Sequence, residues 1–164
     1  MNEIDLGAVR VALTEVPTGA SQPAAQVDMR NISNESEATA SGLSKPAFIP
    51  ADLTFADGTL VRSPVSMVIA TYHDPKAGRS VTIAQTPLSS LKVSDGKKAS
   101  IFAPGVDLEP IEINGKAAVR VTISTQADWR GSRHSLVWIG GDHVFQLNGR
   151  GTSDSELLEI AASV

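Results

Sequence analysis

The 164-residue chain contains no cysteine, few aromatics and no long apolar run, and each shortage narrows what it can be. Without cysteine there is no disulfide framework, no thiolate metal site and no cysteine nucleophile, while reducing and oxidising compartments both remain open. No stretch reaches the roughly 20 apolar residues of a membrane helix. The opening MNEIDLGAVR is acidic where a signal peptide would be basic, so the chain as it stands reads as soluble. Positive charge is also scarce: 14 Lys and Arg against 18 Asp and Glu leave a net charge of −4 and a pI near 5.3. That balance argues against an electrostatic grip on nucleic-acid phosphates or an anionic lipid surface. The few aromatics, Phe 4, Trp 2 and Tyr 1, all lie at or after Phe48, leaving the first 47 positions with none.

The length suits one domain. Residues 1–45 carry three basic groups (Arg10, Arg30, Lys45) against six acidic ones, and they include PTGASQPAAQ, a small-residue segment with little to bury. Residues 1–30 therefore read as an arm or stalk remnant and 31–164 as a single domain. Asn34 and Glu37 have capping-box spacing ahead of Ala38, Ala40 and Leu43, with Gly42 at the end, which predicts a short helix that must dock to be stable.

From residue 46 the pattern turns to strands. Pro46, Pro50 and Pro64 bracket FIPADLTF, and Asp57-Gly58 predicts a turn. VSMVIATY (65–72) and SVTIAQT (80–86) flank the turn segment HDPKAG and form a hairpin; ASIFA (99–103) is a weaker strand. IEINGKAAVRVTIS (111–124) sets Asn114-Gly115 between two alternating runs, the signature of a type I′ hairpin turn. SLVWIGGDHVFQLNG (135–149) is another hairpin. With Gly141 and Asp142 as turn residues, Trp138 faces Phe145 and Leu136 faces Leu147, while Val137, Ile139 and Val144 take the other face. In TSDSELLEIAASV, Ser153 and Glu156 have capping-box spacing, and Leu157, Ile160, Ala161 and Val164 form one apolar stripe that packs on the sheet. Successive hairpins with a helix at each end predict an antiparallel α+β domain.

No catalytic apparatus stands out. His73, His134 and His143 invite a metal or catalytic reading, but His134 and His143 fall at opposite ends of one hairpin, and His73 and His143 border turns where solvated His and Asp are ordinary. No serine lies in GxSxG or SxxK. NGRGTSD resembles an anion cradle, yet Asp154 and Glu156 in the following turn would repel a phosphate. NIS and NES (31–36) match glycosylation acceptors that carry meaning only in a eukaryotic secretory context. WRGSRH (129–134) places Trp129 beside Arg130, Arg133 and His134, residue types favoured at binding hot spots, in a loop before the last hairpin. Candidate contacts for a protein partner or small apolar ligand are therefore Trp129, Arg130, Arg133, Trp138 and Phe145. Neither a cofactor nor a metal is implied.

The order of SNESEATASGL (33–43), PAFIPADL (46–53), Tyr72 with SVTIAQT, EINGKAAVRV, LVWIGGDHVFQLNG and SELLEIAASV resembles a bacterial family. These are the extracytoplasmic domains of unknown function found in anti-sigma factors and related membrane-anchored regulators, within the lipoprotein-carrier and RseB-like sensor group. The resemblance implies a half-open antiparallel sheet over helix, a place outside the inner membrane, and anchoring only through a segment absent from this chain. It implies a non-enzymatic sensor or interaction domain of a regulator, and brings no catalytic residues. The alternative is a carrier that holds lipid or lipoprotein acyl chains in the concave sheet face. A hydrolase would require a buried His and carboxylate pair in a pocket.

Overall fold

Alternation of apolar and polar residues at period two is the dominant pattern of the chain, and the architecture is correspondingly mostly sheet. The computed structural model describes residues 3–5, 10–12, 28–63, 66–90, 98–100, 106–123 and 133–164. Its elements are β1 (Glu3–Asp5), β2 (Arg10–Ala12), β3 (Asp28–Ile32), α1 (Glu35–Ala40), β4 (Thr54–Ser63), β5 (Met67–Asp74), β6 (Arg79–Pro87), a 3-10 turn (Leu88–Ser90), β7 (Lys98–Ser100), β8 (Val106–Ile113), β9 (Lys116–Ile123), β10 (Arg133–Gly140), β11 (His143–Arg150) and α2 (Asp154–Ala162).

Eight strands form one open antiparallel sheet in the order β3-β4-β5-β6-β11-β10-β9-β8. It consists of two meanders. β3 to β6 run side by side, the chain then crosses to the far edge at β8, and β9 to β11 return until β11 pairs with β6 from Ser80↔Arg150 to Pro87↔His143. β1, β2 and β7 form a separate three-stranded sheet whose β2–β7 pairing is parallel.

The expected hairpins follow their turn chemistry. Asp74 Oδ1 accepts from the amides of Lys76 and Ala77 at 2.9 and 3.3 Å, closing the β5–β6 turn. Asn114 and Gly115 take φ of 51° and 70° between β8 and β9. In β10–β11, Trp138 lies opposite Phe145 and Leu136 opposite Leu147, the expected register.

Two expectations are corrected. Asp57-Gly58 is not a turn: β4 runs straight through it, with a register irregularity between Phe55 and Asp57 and with Gly58 paired to Ile32 on one side and Ala70 on the other. The dipeptide tolerates a reversal, but strands on both flanks supply ladder partners and hold the chain extended. Strands also begin before residue 46, since β3 lies at the sheet edge and includes the last three residues of the segment read as an arm. Four of its five residues are exposed, so edge pairing rather than an apolar pattern makes it a strand. PTGASQPAAQ, most of SDGKK, ASIFA beyond Ser100, and the loop with Trp129 and Arg130 lie outside the described residues.

Both helices cover the same face. Asn34 caps α1, its Oδ1 accepting from the Glu37 amide at 2.9 Å, while Glu37 Oε2 reaches back to the Ser33 amide at 2.9 Å. α1 packs on β3, β4 and β5 through Ala38. α2 carries the full capping box of Ser153 and Glu156 and buries Leu157, Ile160 and Ala161 over β8, β10 and β11. At nine residues it is marginal alone, and burying Leu157 and Ile160 contributes about 1.5–3 kcal/mol each. Its close seating depends on Gly149, where a Cβ would stand 2.8 Å from both Leu157 methyls. Between helices and sheet lies one core built on Tyr72, Val81, Ile83, Leu136, Trp138, Phe145 and Leu147. Val119, Val121, Val137 and Val144 are buried on the opposite face. There the Thr71 and Thr82 hydroxyls meet at 3.1 Å, and Ser135 donates to Asn148.

Candidate functional site

The β8–β9 and β10–β11 turns fall at one end of the sheet, and the C-terminus of α2 and the segment after α1 arrive at the same end. Between them is a half-open cleft of about 250 Å³, lined among the described residues by Ser44, Ile113, Asn114, Lys116, Trp138, Gly140, Gly141, Phe145, Ala161 and Val164. Its wall is the Trp138–Phe145 pair, directly opposed across β10 and β11, with ring centroids 5.3 Å apart and planes 12° from parallel. Such a stack contributes about 0.5–1.5 kcal/mol beyond its buried area. Gly140 makes room for it, since a Cβ there would stand 2.8 Å from Phe145 Cε2.

Buried polar ties fix the other walls. Gln85, only 3% exposed, accepts from the Ser44 amide at 2.7 Å and donates to the Gly42 carbonyl at 3.0 Å, pinning the segment after α1 to the middle of the sheet. The last three carbonyls of α2 and that of the following Ser163 are occupied. Ile160 accepts from the Ser163 hydroxyl at 2.7 Å, Ala161 from the Val164 amide at 3.4 Å, Ala162 from Asn114 Nδ2 at 2.7 Å and Ser163 from the Ala47 amide at 3.0 Å. Helix end, turn and loop thus form one preformed frame, and the negative end of the helix dipole is answered by donors.

What is left open in the cleft is a set of donors. Lys116 is exposed and has no ion-pair partner among the described residues. Neither the Trp138 indole N–H nor the Ser44 hydroxyl has a hydrogen-bond partner among the described residues. The cleft therefore joins an aromatic and aliphatic wall to a polar rim that includes Lys116 and Ser44.

Trp138 and Phe145 are the two candidate contacts that line this cleft; Arg133 starts β10 at its other end, opposite Ile123, about 16 Å along the strand from Trp138. Trp129 and Arg130 lie outside the described residues. Lys116, Ser44 and Asn114 carried no functional signal in the sequence, where Asn114 read only as a turn residue. The histidines do not converge. His134 pairs with Gly149 and His143 with Gly140, about 20 Å apart along β10, while His73 occupies the face opposite His143. His143 Nδ1 sits 2.6 Å from Asp142 Oδ1. Among the described residues no group of three or more His, Cys, Asp or Glu is placed to hold a metal ion, and no helix is long and apolar enough to cross a membrane.

Three further polar sites lie elsewhere in the fold. The Tyr72 hydroxyl is buried without a hydrogen bond; burial first, then the nearby Glu35 carboxylate, pushes its pKa far above the usual tyrosine value. Glu35 acts on it electrostatically but does not meet hydrogen-bond geometry, and is itself held below the usual glutamate range by its bond to Lys45. Arg79 ties Asp52 at 3.2 Å to Glu156 at 3.1 Å, joining β6, the segment before β4 and the first turn of α2. Arg120 pairs with Glu109 at 2.9 Å and lies 3.8 Å from Asp154.

No family model matches the chain, and comparison with curated proteins and with solved structures finds no match.

Proposed function

We propose that this chain is a non-enzymatic interaction domain, of the kind its landmark order resembles: the extracytoplasmic sensor part of a bacterial membrane-anchored regulator, similar to anti-sigma-factor domains and to the lipoprotein-carrier and RseB-like folds. The observation that carries the reading is the preformed cleft at the turn end of the sheet, with the Trp138–Phe145 wall and, at the rim, Lys116, unpaired among the described residues. Ligand pockets for small molecules run to about 300–1,000 Å³. A cleft of about 250 Å³ lies below that range and suits a side chain presented by a partner.

The packing of the core favours interaction over an acyl-chain carrier. The helix-covered face is filled by the protein's own side chains, with Tyr72, Ile83, Leu136, Leu147, Leu157 and Ile160 all at most 2% exposed. A long acyl chain would have to displace that core. Native mass spectrometry of protein purified from its source cells tests the choice. An apo mass, with no stabilisation by added phospholipid, supports the interaction domain; a co-purifying acyl ligand overturns it. For the extracytoplasmic placement, a periplasm-active reporter fused to the full natural reading frame is expected to be active, and a reporter active only in the cytoplasm would overturn it.

A further inference from the structure

The dipeptide Asn-Gly occurs twice in the chain, at 114–115 and at 148–149, and it is the context in which an asparagine amide is most readily lost. Glycine has no side chain to shield its backbone nitrogen, so that nitrogen can attack the neighbouring Cγ. The fold treats the two pairs differently. Asn148 lies in β11 opposite Ser135 of β10 on one side and Thr82 of β6 on the other, and its Oδ1 accepts from the Ser135 hydroxyl and from Gln146 Nε2, the latter at 3.3 Å. Ladder partners on both flanks hold its backbone extended. Asn114 stands instead at an exposed turn, open to water, and its side chain is held from 48 residues away: Nδ2 donates to the Ala162 carbonyl at 2.7 Å.

Two features keep Asn114 intact while that contact is closed. With φ of 51° and 70° at Asn114 and Gly115 the turn is of type I′, whose first central ψ is about +30°. At that angle the Gly115 nitrogen stands nearly opposite the Asn114 Cβ, too far from Cγ to bond to it. The Ala162 carbonyl meanwhile holds the carboxamide against the end of α2. We propose that Asn114 is a latent deamidation site, guarded by the docked end of α2 and unable, once converted, to take that end back. In the reaction the Gly115 nitrogen gives up its proton and bonds to Asn114 Cγ, the Cγ–Nδ2 bond breaks, and the amide leaves as ammonia. Water then opens the succinimide ring at either carbonyl, giving aspartate or isoaspartate. Aspartate sets a carboxylate where the donor was, so an acceptor faces the Ala162 carbonyl at the negative end of the helix. Isoaspartate adds a methylene to the backbone of a two-residue turn. Neither the reaction nor its effect depends on what the cleft binds.

Peptide mapping by mass spectrometry, on the folded full chain at mildly alkaline pH and on the same chain unfolded in urea, follows both pairs. Asn114 is expected to convert at least about 10-fold more slowly in the folded chain, and Asn148 to stay an amide until the chain unfolds. Ile160→Ala loosens α2 without touching the turn and is expected to speed conversion of Asn114 roughly 2- to 10-fold while leaving Asn148 alone. Urea below the unfolding transition of the parent is a second probe, expected to raise the Asn114 rate before that of Asn148. Equal Asn114 rates in folded and unfolded chain, conversion of Asn148 ahead of Asn114, or an Asn114 rate that rises only together with that of Asn148 would each overturn the guarding role. Asn114→Asp stands for the product. Exchange of the Ala47 amide, bonded to the Ser163 carbonyl at the same helix end, is expected to quicken more in that variant than in Asn114→Ala, which removes the donor without adding charge. Exchange as slow in Asn114→Asp as in the parent would overturn the loss of the helix end.

Discussion

Replacing Gly140 with alanine tests whether the aromatic wall of the cleft is a packed structural unit. Gly140 has an ordinary extended backbone, so the substitution meets no conformational penalty; the obstacle is Phe145, whose Cε2 and Cδ2 would lie 2.8 and 3.3 Å from the new methyl. Phe145 is 4% exposed and stacked on Trp138, so its ring cannot swing away without breaking the stack or entering the cleft. Overpacking of this kind costs about 1–3 kcal/mol, and loss of the stack about 0.5–1.5. Removing a glycine from the unfolded chain offsets about 0.4–1 kcal/mol. The expected net loss is about 2 kcal/mol, a fall in Tm of about 4–8 °C for a domain of this size. Gly141→Ala is the control. It stands at φ +62° with nothing within 4 Å of its would-be Cβ, so it incurs only the left-handed backbone cost of about 1–2 kcal/mol and leaves the rings alone. Urea unfolding measures both losses, and near-UV circular dichroism separates them: the aromatic signal changes in Gly140→Ala and persists in Gly141→Ala. A Gly140→Ala protein as stable as the parent, with an unchanged aromatic signal, would refute the packing argument.

Two further outcomes follow from the polar ties. Gln85→Leu leaves the Ser44 amide and the Gly42 carbonyl without their partner and is expected to cost about 1–3 kcal/mol, with faster amide exchange at Ser44; unchanged exchange there would show that the tie does not hold the cleft wall. Glu156 is held below its ordinary value of 4.5, first by its bond to the Ser153 amide and then by Arg79, so its contribution to stability is present above that value and is lost as the pH falls through the depressed folded one. Glu156→Gln keeps a capping residue without the titration, so the stability gap between parent and variant is expected to close on acidification below about pH 4.5, and parallel pH profiles would refute it.

The sequence was most legible where structure is made within a few residues. Asn34 with Glu37, and Ser153 with Glu156, announced both helix starts because a cap is closed by a side chain and an amide three residues apart. Asn114-Gly115 announced its hairpin because the left-handed region is cheap for those residues. The alternation of LVWIGGDHVFQL fixed the Trp138–Phe145 pair once the turn was known. Asp57-Gly58 misled because a turn signal is a statement about permitted dihedrals, and two flanking strands overruled it. β3 was missed because an edge strand with four exposed residues has no apolar period to read.

Beyond its Trp138–Phe145 wall the cleft could not be read. Its walls come from residues near 44, 114, 140 and 162, brought together by Gln85 across 41 residues to Ser44 and by Asn114 across 48 to Ala162. None of those residues differs locally from an ordinary turn or strand residue. The sequence alone determined the caps, the hairpin turns, the faces of the β10–β11 strands and the crowding of aromatics into the second part of the chain, all of which depend on neighbours within a few positions. Only the tertiary structure decided the meeting of β6 with β11, the edge places of β3 and β8, and the union of Lys116 with the Trp138–Phe145 wall. Pairing between distant strands is settled by which closure of the long connections buries the most apolar surface, a property of the whole chain that no window of it contains.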